Sequence, residues 1–379
     1  MYYYGLTKPD IYVYLSTYRI YMSLDVENIF GNRLKLARKM AGMSLQDLSD
    51  ALKGAVTKQA LSKYEIGAMK PNSEILGIIA RILNVKQDYL LRVDQVELGQ
   101  ISFRKKADLR KKDEEAAVER ARDYVERYLE IESILGQSEK FKNPLQRDKI
   151  STKEDVEQAA IKLRKAWELG TDAIPNLIEM LELKGIKVLL FDYVEQLDGF
   201  AVFTSNGVPV VAINTREKPI ERIRFTMIHE LAHILLDFSE EIKRNSKALE
   251  KLCHYFASCF LVPSQALIKL IGGSHRTYIN IKELIDIKEY CGISIRAIVH
   301  RLRELSVINE NYYQRWVVYL SKTYGARNEP GNYKGNEKPK VFEKLITRAL
   351  AEEVISLSKA AALCNTNINN IRRGLISVS

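Results

Sequence analysis

The sequence is poor in the residues that build covalent scaffolds. It holds four cysteines, Cys253, Cys259, Cys291 and Cys364, and no two stand in C-x-x-C spacing. That excludes a secreted disulfide framework and points to a reducing cytoplasm. No apolar run reaches the ~18–20 residues that span a bilayer, so no membrane role is expected. The first 21 residues carry seven tyrosines and lack the apolar core of a signal peptide. They read as an untypical extension, with Met22 as the expected natural start. Histidine is scarce too. Of the five, His229, His233 and His254 fall within 26 residues, while nothing singles out His275 or His300.

What is present suits a chain of more than one domain. Its 379 residues are 46% hydrophobic, enough for a sizeable core. The net charge of +10 is uneven. Residues 28–92 hold 11 Lys/Arg against 5 Asp/Glu, and residues 311–379 hold the same numbers. The rest is close to neutral. Two basic regions flanking a neutral middle suit a nucleic-acid-binding part joined to something else. A basic surface that is merely solvated carries the same charge.

Residues 28–92 read as short helices. Ile29, Leu34, Leu36 and Ala37 lie roughly along one face of the first, and Gly42 ends it. Ser44 caps the next, with Asp47 three residues on, and Leu45, Leu48 and Leu52 form its apolar stripe. Thr57 caps a helix reaching Glu65, closed by Gly67 and Pro71. Ser73 opens another through Ile75, Leu76, Ile79 and Ala80. Lys58, Gln59, Ser62 and Lys63 project outward from the helix after Thr57, and such side chains reach base edges and phosphates. A helical bundle with a solvated face has the same pattern. The run from Ser44 to Val85, with its Ser-Lys-Tyr-Glu-x-Gly close, resembles the phage-repressor-type (XRE/Cro-like) helix-turn-helix family. The resemblance implies a double-stranded DNA operator as partner, read by those four residues, and paired half-sites that suit a homodimer. The connection Lys53-Gly54-Ala55-Val56 is longer than that family's turn.

Residues 96–150 are strongly charged, with a basic run at 104–112 and a helix expected over 113–132. They read as a solvated helical spacer. Helices at 153–169 and 174–183 follow, then a strand at 186–191. A hairpin of 199–203 and 208–214 turns at Ser205-Asn206-Gly207. The edge of such a sheet suits main-chain pairing with an extended peptide.

A helix over 225–238 then carries His229-Glu230-Leu231-Ala232-His233. Residues four apart share a helix face, so both imidazoles reach one ion. Glu230 is placed to take a proton from the attacking water. Met227, Ile228, Leu231, Ile234, Leu235 and Leu236 make the helix apolar, and buried imidazoles and a carboxylate need partners. By chance alone such a motif can also be a buried pair bonded to backbone. Two candidate third ligands, Glu250 and His254, lie four apart downstream. Cys253 reads as a small buried residue.

The stretches GFAVFTSNGVPVVAINT, RFTMIHELAHILLDF and EKLCHYFASCFLVP are together similar to the ImmA/IrrE family of zinc metallopeptidases, over roughly residues 170–270. The resemblance implies Zn2+ held by His229, His233 and Glu250 with Glu230 as general base. His254 stands where the family often has Asn, facing substrate or beside the ligands. It also implies a repressor or antitoxin-like protein as substrate, or the chain itself.

Residues 277–309 read as helices completing this domain, and 324–340 as a loop. A helix over 342–353 follows. The last helices, 356–363 and 368–373, resemble a truncated second helix-turn-helix, with a solvated helical cap as the plainer account. The expected fold is mainly α with a small β-sheet (α+β). The expected parts are an extension (1–27), a helix-turn-helix domain (28–95), a charged helical linker (96–150), a zincin-like metallopeptidase domain (151–310) and a basic helical region (311–379). Two functions fit: a DNA-binding regulator that carries a zinc endopeptidase, or a transcription factor or antitoxin whose zinc domain only senses a ligand or metal.

Overall fold

The computed structural model describes residues 28–92, 96–99, 101, 109–137, 140–145, 148–193, 196–325 and 328–376. The extension with Met22 and part of the 104–112 basic run lie outside the described residues. The helices α1 to α4 are Ile29–Met40, Leu45–Ala51, Lys58–Glu65 and Ser73–Ile82, followed by a 3-10 turn at Gln87–Leu91 and by α5, Lys111–Ile134. Then come β1 (Lys149–Ile150), α6 (Lys153–Ala166), α7 (Leu177–Leu183), β2 (Lys187–Phe191), β3 (Gly199–Phe203) and β4 (Pro209–Asn214). Next are α8 (Ile220–Leu235), β5 (Asp237–Phe238), α9 (Glu240–Arg244), α10 (Ser246–Leu261) and α11 (Ser264–Leu270). The chain continues with α12 (Ile281–Cys291), α13 (Ile295–Glu304), α14 (Glu310–Tyr324), α15 (Val341–Ala351), α16 (Leu357–Leu363) and α17 (Ile368–Ile376). The architecture is mainly helical with a small sheet, as expected. Among the described residues, no helix is long and apolar enough to cross a membrane.

The chain forms two compact units. The first is built from the described residues of Met1–Val96, Leu109–Ile131 and Ile346–Ser379. Its helices α2, α3 and α4 start where short polar side chains satisfy backbone donors. The Ser44 hydroxyl accepts from Asp47 N–H while the Asp47 carboxylate accepts from Ser44 N–H, a complete capping box. Thr57 accepts from Ala60 N–H and Asn72 from Ile75 N–H. Leu34, Ala37, Leu48, Leu61, Ile79 and Leu90 are fully buried. The reading of 113–132 as a solvated spacer does not hold for α5. Ala117, Ala121, Val125, Tyr128 and Ile131 recur at three- and four-residue steps and are buried. Glu126 is buried with them and accepts from Arg33 Nη1 at 2.6 Å. The last helices belong to this unit too. Arg127 Nη1 donates to Leu363 O at 2.6 Å, and Lys359 pairs with Glu130.

The second unit comprises the described residues of Glu97–Asp108 and Glu132–Leu345. Its three-stranded sheet has the order β2-β4-β3. β2 runs parallel to β4, pairing Lys187 with Val210, and β3 runs antiparallel, pairing Gly199 with Ile213. The hairpin turn has positive φ at Gly207 but not at Asn206. Val208 N–H closes it by donating to Thr204 Oγ1 at 3.0 Å. α8 packs on β3, β4 and α10, and α10 packs on α6. The motif helix begins five residues earlier than its apolar pattern suggests, after Pro219, whose φ is fixed near the helical value. It stops at Leu235, and Asp237–Phe238 pairs in parallel with Lys149–Ile150.

Candidate metal centre

α8 is a core helix. Met227, Ile228, Leu231, Ala232 and Leu235 are buried against the sheet and α10. A helix buried on nearly every side must satisfy its polar residues internally, and Arg224 shows how. Its Nε donates to Gly292 O at 3.1 Å, and Nη2 donates to Ile174 O at 2.9 Å and Cys291 O at 3.3 Å. Nη1 pairs with Glu337, and the guanidinium lies over the Tyr333 ring, 4.5 Å from its centre. Glu337 also accepts from Leu177 and Ile178 N–H at the start of α7. Arg224 therefore anchors the motif helix to two distant backbone segments, at Ile174 and at Cys291–Gly292, and to the Glu337 carboxylate.

One and two turns further along α8, His229 and His233 bring their Nε2 atoms to 3.3 Å from each other. α10 supplies the third donor. Asn245 caps it by accepting from Ala248 N–H, and Leu252, Cys253, Phe256 and Phe260 bury its apolar side. Glu250 then places Oε2 3.3 Å from His229 Nε2 and Oε1 3.5 Å from His233 Nε2. Among the described residues, His229, His233 and Glu250 form the group whose donor atoms all lie within 4.8 Å of one another.

This donor set fits a metal ion. Two imidazole nitrogens cannot aim lone pairs at each other at this distance without a cation or proton between them. Ligand atoms about 2.0–2.2 Å from a tetrahedral zinc stand about 3.3–3.5 Å from one another, the spacing found here. Two imidazoles and a carboxylate also leave a fourth position open. The His229 side chain is fully buried, whereas those of His233 and Glu250 are 21% and 33% exposed, so the group opens to solvent on one side.

Glu230 is 1% exposed. It lies against the start of β3, where a Cβ added to Gly199 would stand 3.4 Å from Glu230 Cγ. His254 is beside the group rather than within it. Its ring centre is 4.3 Å from that of His229 and 5.7 Å from that of Phe225. Cys253 is buried, as its sequence context suggests, but it also contacts the site: Sγ is 3.6 Å from His233 Nδ1. With His233 Nε2 as the ligating atom, Nδ1 carries the proton and donates to that sulfur. Sequence reasoning missed this role for Cys253 and missed Gly199 and Arg224 entirely. The only local signal was the glycine opening the hairpin. In the first unit, α3 exposes Lys58, Gln59 and Lys63 and half-buries Ser62.

Residues 34–90 match the family model described as Helix-turn-helix, and residues 181–303 match that of the IrrE N-terminal-like domain. The chain is 41% identical over 64 residues to an SPbeta prophage-derived uncharacterized HTH-type transcriptional regulator, YonR, of Bacillus subtilis (strain 168). It is 35% identical over 69 residues to a second uncharacterized HTH-type transcriptional regulator of that organism, YqaE. These matches cover 17% and 18% of this chain and 57% and 58% of the relatives, less than two thirds of their length. The chain thus joins a helix-turn-helix domain at residues 34–90 to an IrrE N-terminal-like domain at residues 181–303, and the latter contains all three donors of the candidate metal centre.

Proposed function

We propose that the chain is a DNA-binding transcriptional regulator whose IrrE N-terminal-like domain is a zinc-dependent endopeptidase, acting on a repressor- or antitoxin-type protein or on the chain itself. The observation that carries the enzymatic part is the spacing of 3.3, 3.3 and 3.5 Å among the His229, His233 and Glu250 donors. When bound, zinc supplies Lewis-acid polarisation of a carbonyl and a nucleophilic water at neutral pH. His229, His233 and Glu250 hold the ion, and the Cys253 thiol orients the His233 ring. Glu230 takes a proton from the attacking water and returns it to the departing amine nitrogen. Its burial strengthens its electrostatic effect on the reacting atoms. The half-exposed side at His233 and Glu250 is where a polypeptide enters. The DNA-binding part is supported by the helix-turn-helix match and by exposed Lys58, Gln59 and Lys63 on one helix, with Ser62 beside them.

The test is a Glu230→Gln chain. It is expected to keep one zinc per chain and unchanged operator affinity while losing proteolysis of repressor and of itself. Derepression in cells that survives this substitution rejects the protease as the switch and leaves a zinc-binding sensor. A zinc content near zero in both the wild type and a His229→Ala chain rejects the metal centre.

A further inference from the structure

One local geometry occurs twice in the first unit. α2 and α16 are each seven residues long, and each opens on a leucine that follows a serine. The two serine hydroxyls, of Ser44 and Ser356, accept from the third backbone N–H of their helix, at 3.1 Å in both cases. Each helix is left through a residue of positive φ two positions past its end, Lys53 at 52° and Asn365 at 47°. The helices that follow, α3 and α17, are capped alike. Thr57 accepts from Ala60 N–H and Asn367 from Asn370 N–H, again the third residue of the helix. α17 packs on α16 as α3 packs on α2. Residues 364–367 make a turn of the short kind that joins the two helices of a helix-turn-helix.

The chemistry of the second helix repeats as well. Its second position is Gln59 in α3 and Asn369 in α17, and its sixth is Lys63 in α3 and Arg373 in α17. The fifth position carries Ser62 in α3 and a further cation, Arg372, in α17. Residues three and four apart share a helix face, so Asn369, Arg372 and Arg373 stand together. All three are exposed, and among the described residues neither arginine is in an ion pair. Residues 354–379 hold three Lys/Arg and no Asp/Glu. The start of α17 also lines an open cleft of about 600 Å³, where Lys86 and Arg372 outnumber the single carboxylate of Asp88. The pair of helices is firmly mounted: Arg127 of α5 donates to Leu363 O at the end of α16, and Lys359 pairs with Glu130.

We propose that α16 and α17 are a second helix-turn-helix, with α17 contacting duplex DNA through Asn369, Arg372 and Arg373 in addition to the contacts made by α3. This rests on the DNA-binding reading above. Arg reaches guanine edges and phosphates, and the Asn amide pairs with an adenine edge as Gln does. An acidic protein surface would also take two arginines, but the repeated placement of amide and cation along the helix favours DNA.

The experiment uses the full chain and a short mixed-sequence DNA duplex, with affinity measured by fluorescence anisotropy across a salt series. Arg372→Ala with Arg373→Ala is expected to lower the slope of log affinity against log salt by about 2, close to 0.9 per phosphate contact. Alanine is the best helix former, so α17 is kept, and Arg372→Lys with Arg373→Lys is expected to restore the slope. Arg315→Ala with Lys322→Ala removes the same charge from exposed positions on α14 and is expected to leave the slope unchanged. Joining the α17 alanine pair to Lys58→Ala and Lys63→Ala is expected to lower the slope by about 4, the sum for two separate elements. A slope that falls with the α3 pair but not with the α17 pair would overturn the inference, keep the DNA-binding reading, and leave this face to a protein partner. An equal fall with the α14 pair would also overturn it, because net charge alone would then explain the effect. A wild-type chain that does not bind the duplex at low salt overturns both.

Discussion

His233 is held from two directions. Nε2 converges with His229 and Glu250, and Nδ1 meets the Cys253 sulfur. A partner on the second ring nitrogen sets the tautomer and the ring plane, and losing such partners typically costs about 10–100-fold in metal affinity. Cys253→Ala is therefore expected to weaken zinc binding about tenfold with the fold intact, as read by chelator competition. An unchanged affinity would return Cys253 to simple packing. Glu182 makes a different single-residue case. Burial pushes its carboxyl up to about 7, against the opposing pull of the Val341 N–H bond and of Lys187. The neutral form is therefore favoured in the fold. Below the unfolded value of 4.5 the group costs nothing. As pH rises from there through 7, the folded state loses stability relative to the unfolded chain, by about 3 kcal/mol once the group is ionised in both. Glu182→Gln is expected to be more stable than wild type by about that amount at pH 8, with the gap closing by pH 4.5, as measured by urea unfolding.

At the scale of elements, α8 depends on a residue that its own sequence does not explain. Arg224 and Glu337 are both fully buried as side chains, and the pair is surrounded by backbone partners from α7 and from the end of α12. Removing one member of a buried pair leaves the other charged and uncompensated, which typically costs about 3–5 kcal/mol. Glu337→Ala is expected to lose about that much in chemical unfolding of the full chain, and Arg224→Met combined with it to recover part of the loss. A loss below about 1 kcal/mol would mean the pair is not closed in solution. The helix starts of the first unit were readable because caps are local: the Ser44–Asp47 box and the Thr57 cap follow from residues three apart. The burial of α5 was not readable. Its apolar stripe of Ala117, Ala121, Val125, Tyr128 and Ile131 is set among many charges, and the partners that accompany its burial, Arg33 and Arg92 beside Glu126, are distant in sequence.

At the scale of the whole molecule, positive charge is concentrated in two regions, residues 311–379 and the region that contains the helix-turn-helix. Residues 28–92 carry 11 Lys/Arg against 5 Asp/Glu. Lys58 and Lys63 are exposed on α3, and no ion pair involves either among the described residues. If both meet phosphates, Lys58→Ala with Lys63→Ala should reduce the slope of log affinity against log salt by about 2, close to 0.9 per contact. Fluorescence anisotropy on operator DNA across a salt series checks this, and an unchanged slope would place the phosphate contacts elsewhere. Gln59→Ala is not expected to alter the slope, because an uncharged side chain releases no counterion.

The sequence by itself determined the features that depend on neighbours a few residues away. Helical pitch puts His229 and His233 on one face whatever surrounds them, and short polar residues start the helices of the first unit. It could propose Glu250 and His254 as third partners, but spacing could not separate them, because both share a face of α10; the resemblance separated them. Only the tertiary structure decided that the Glu250 oxygens stand 3.3 and 3.5 Å from the two nitrogens while His254 stacks alongside. It also decided that Gly199 backs Glu230, and that Glu97–Gly99 pairs with the far end of the same strand. Those relations join residues tens to more than a hundred positions apart. They are set by how buried helices and strands pack, which no short stretch of sequence encodes.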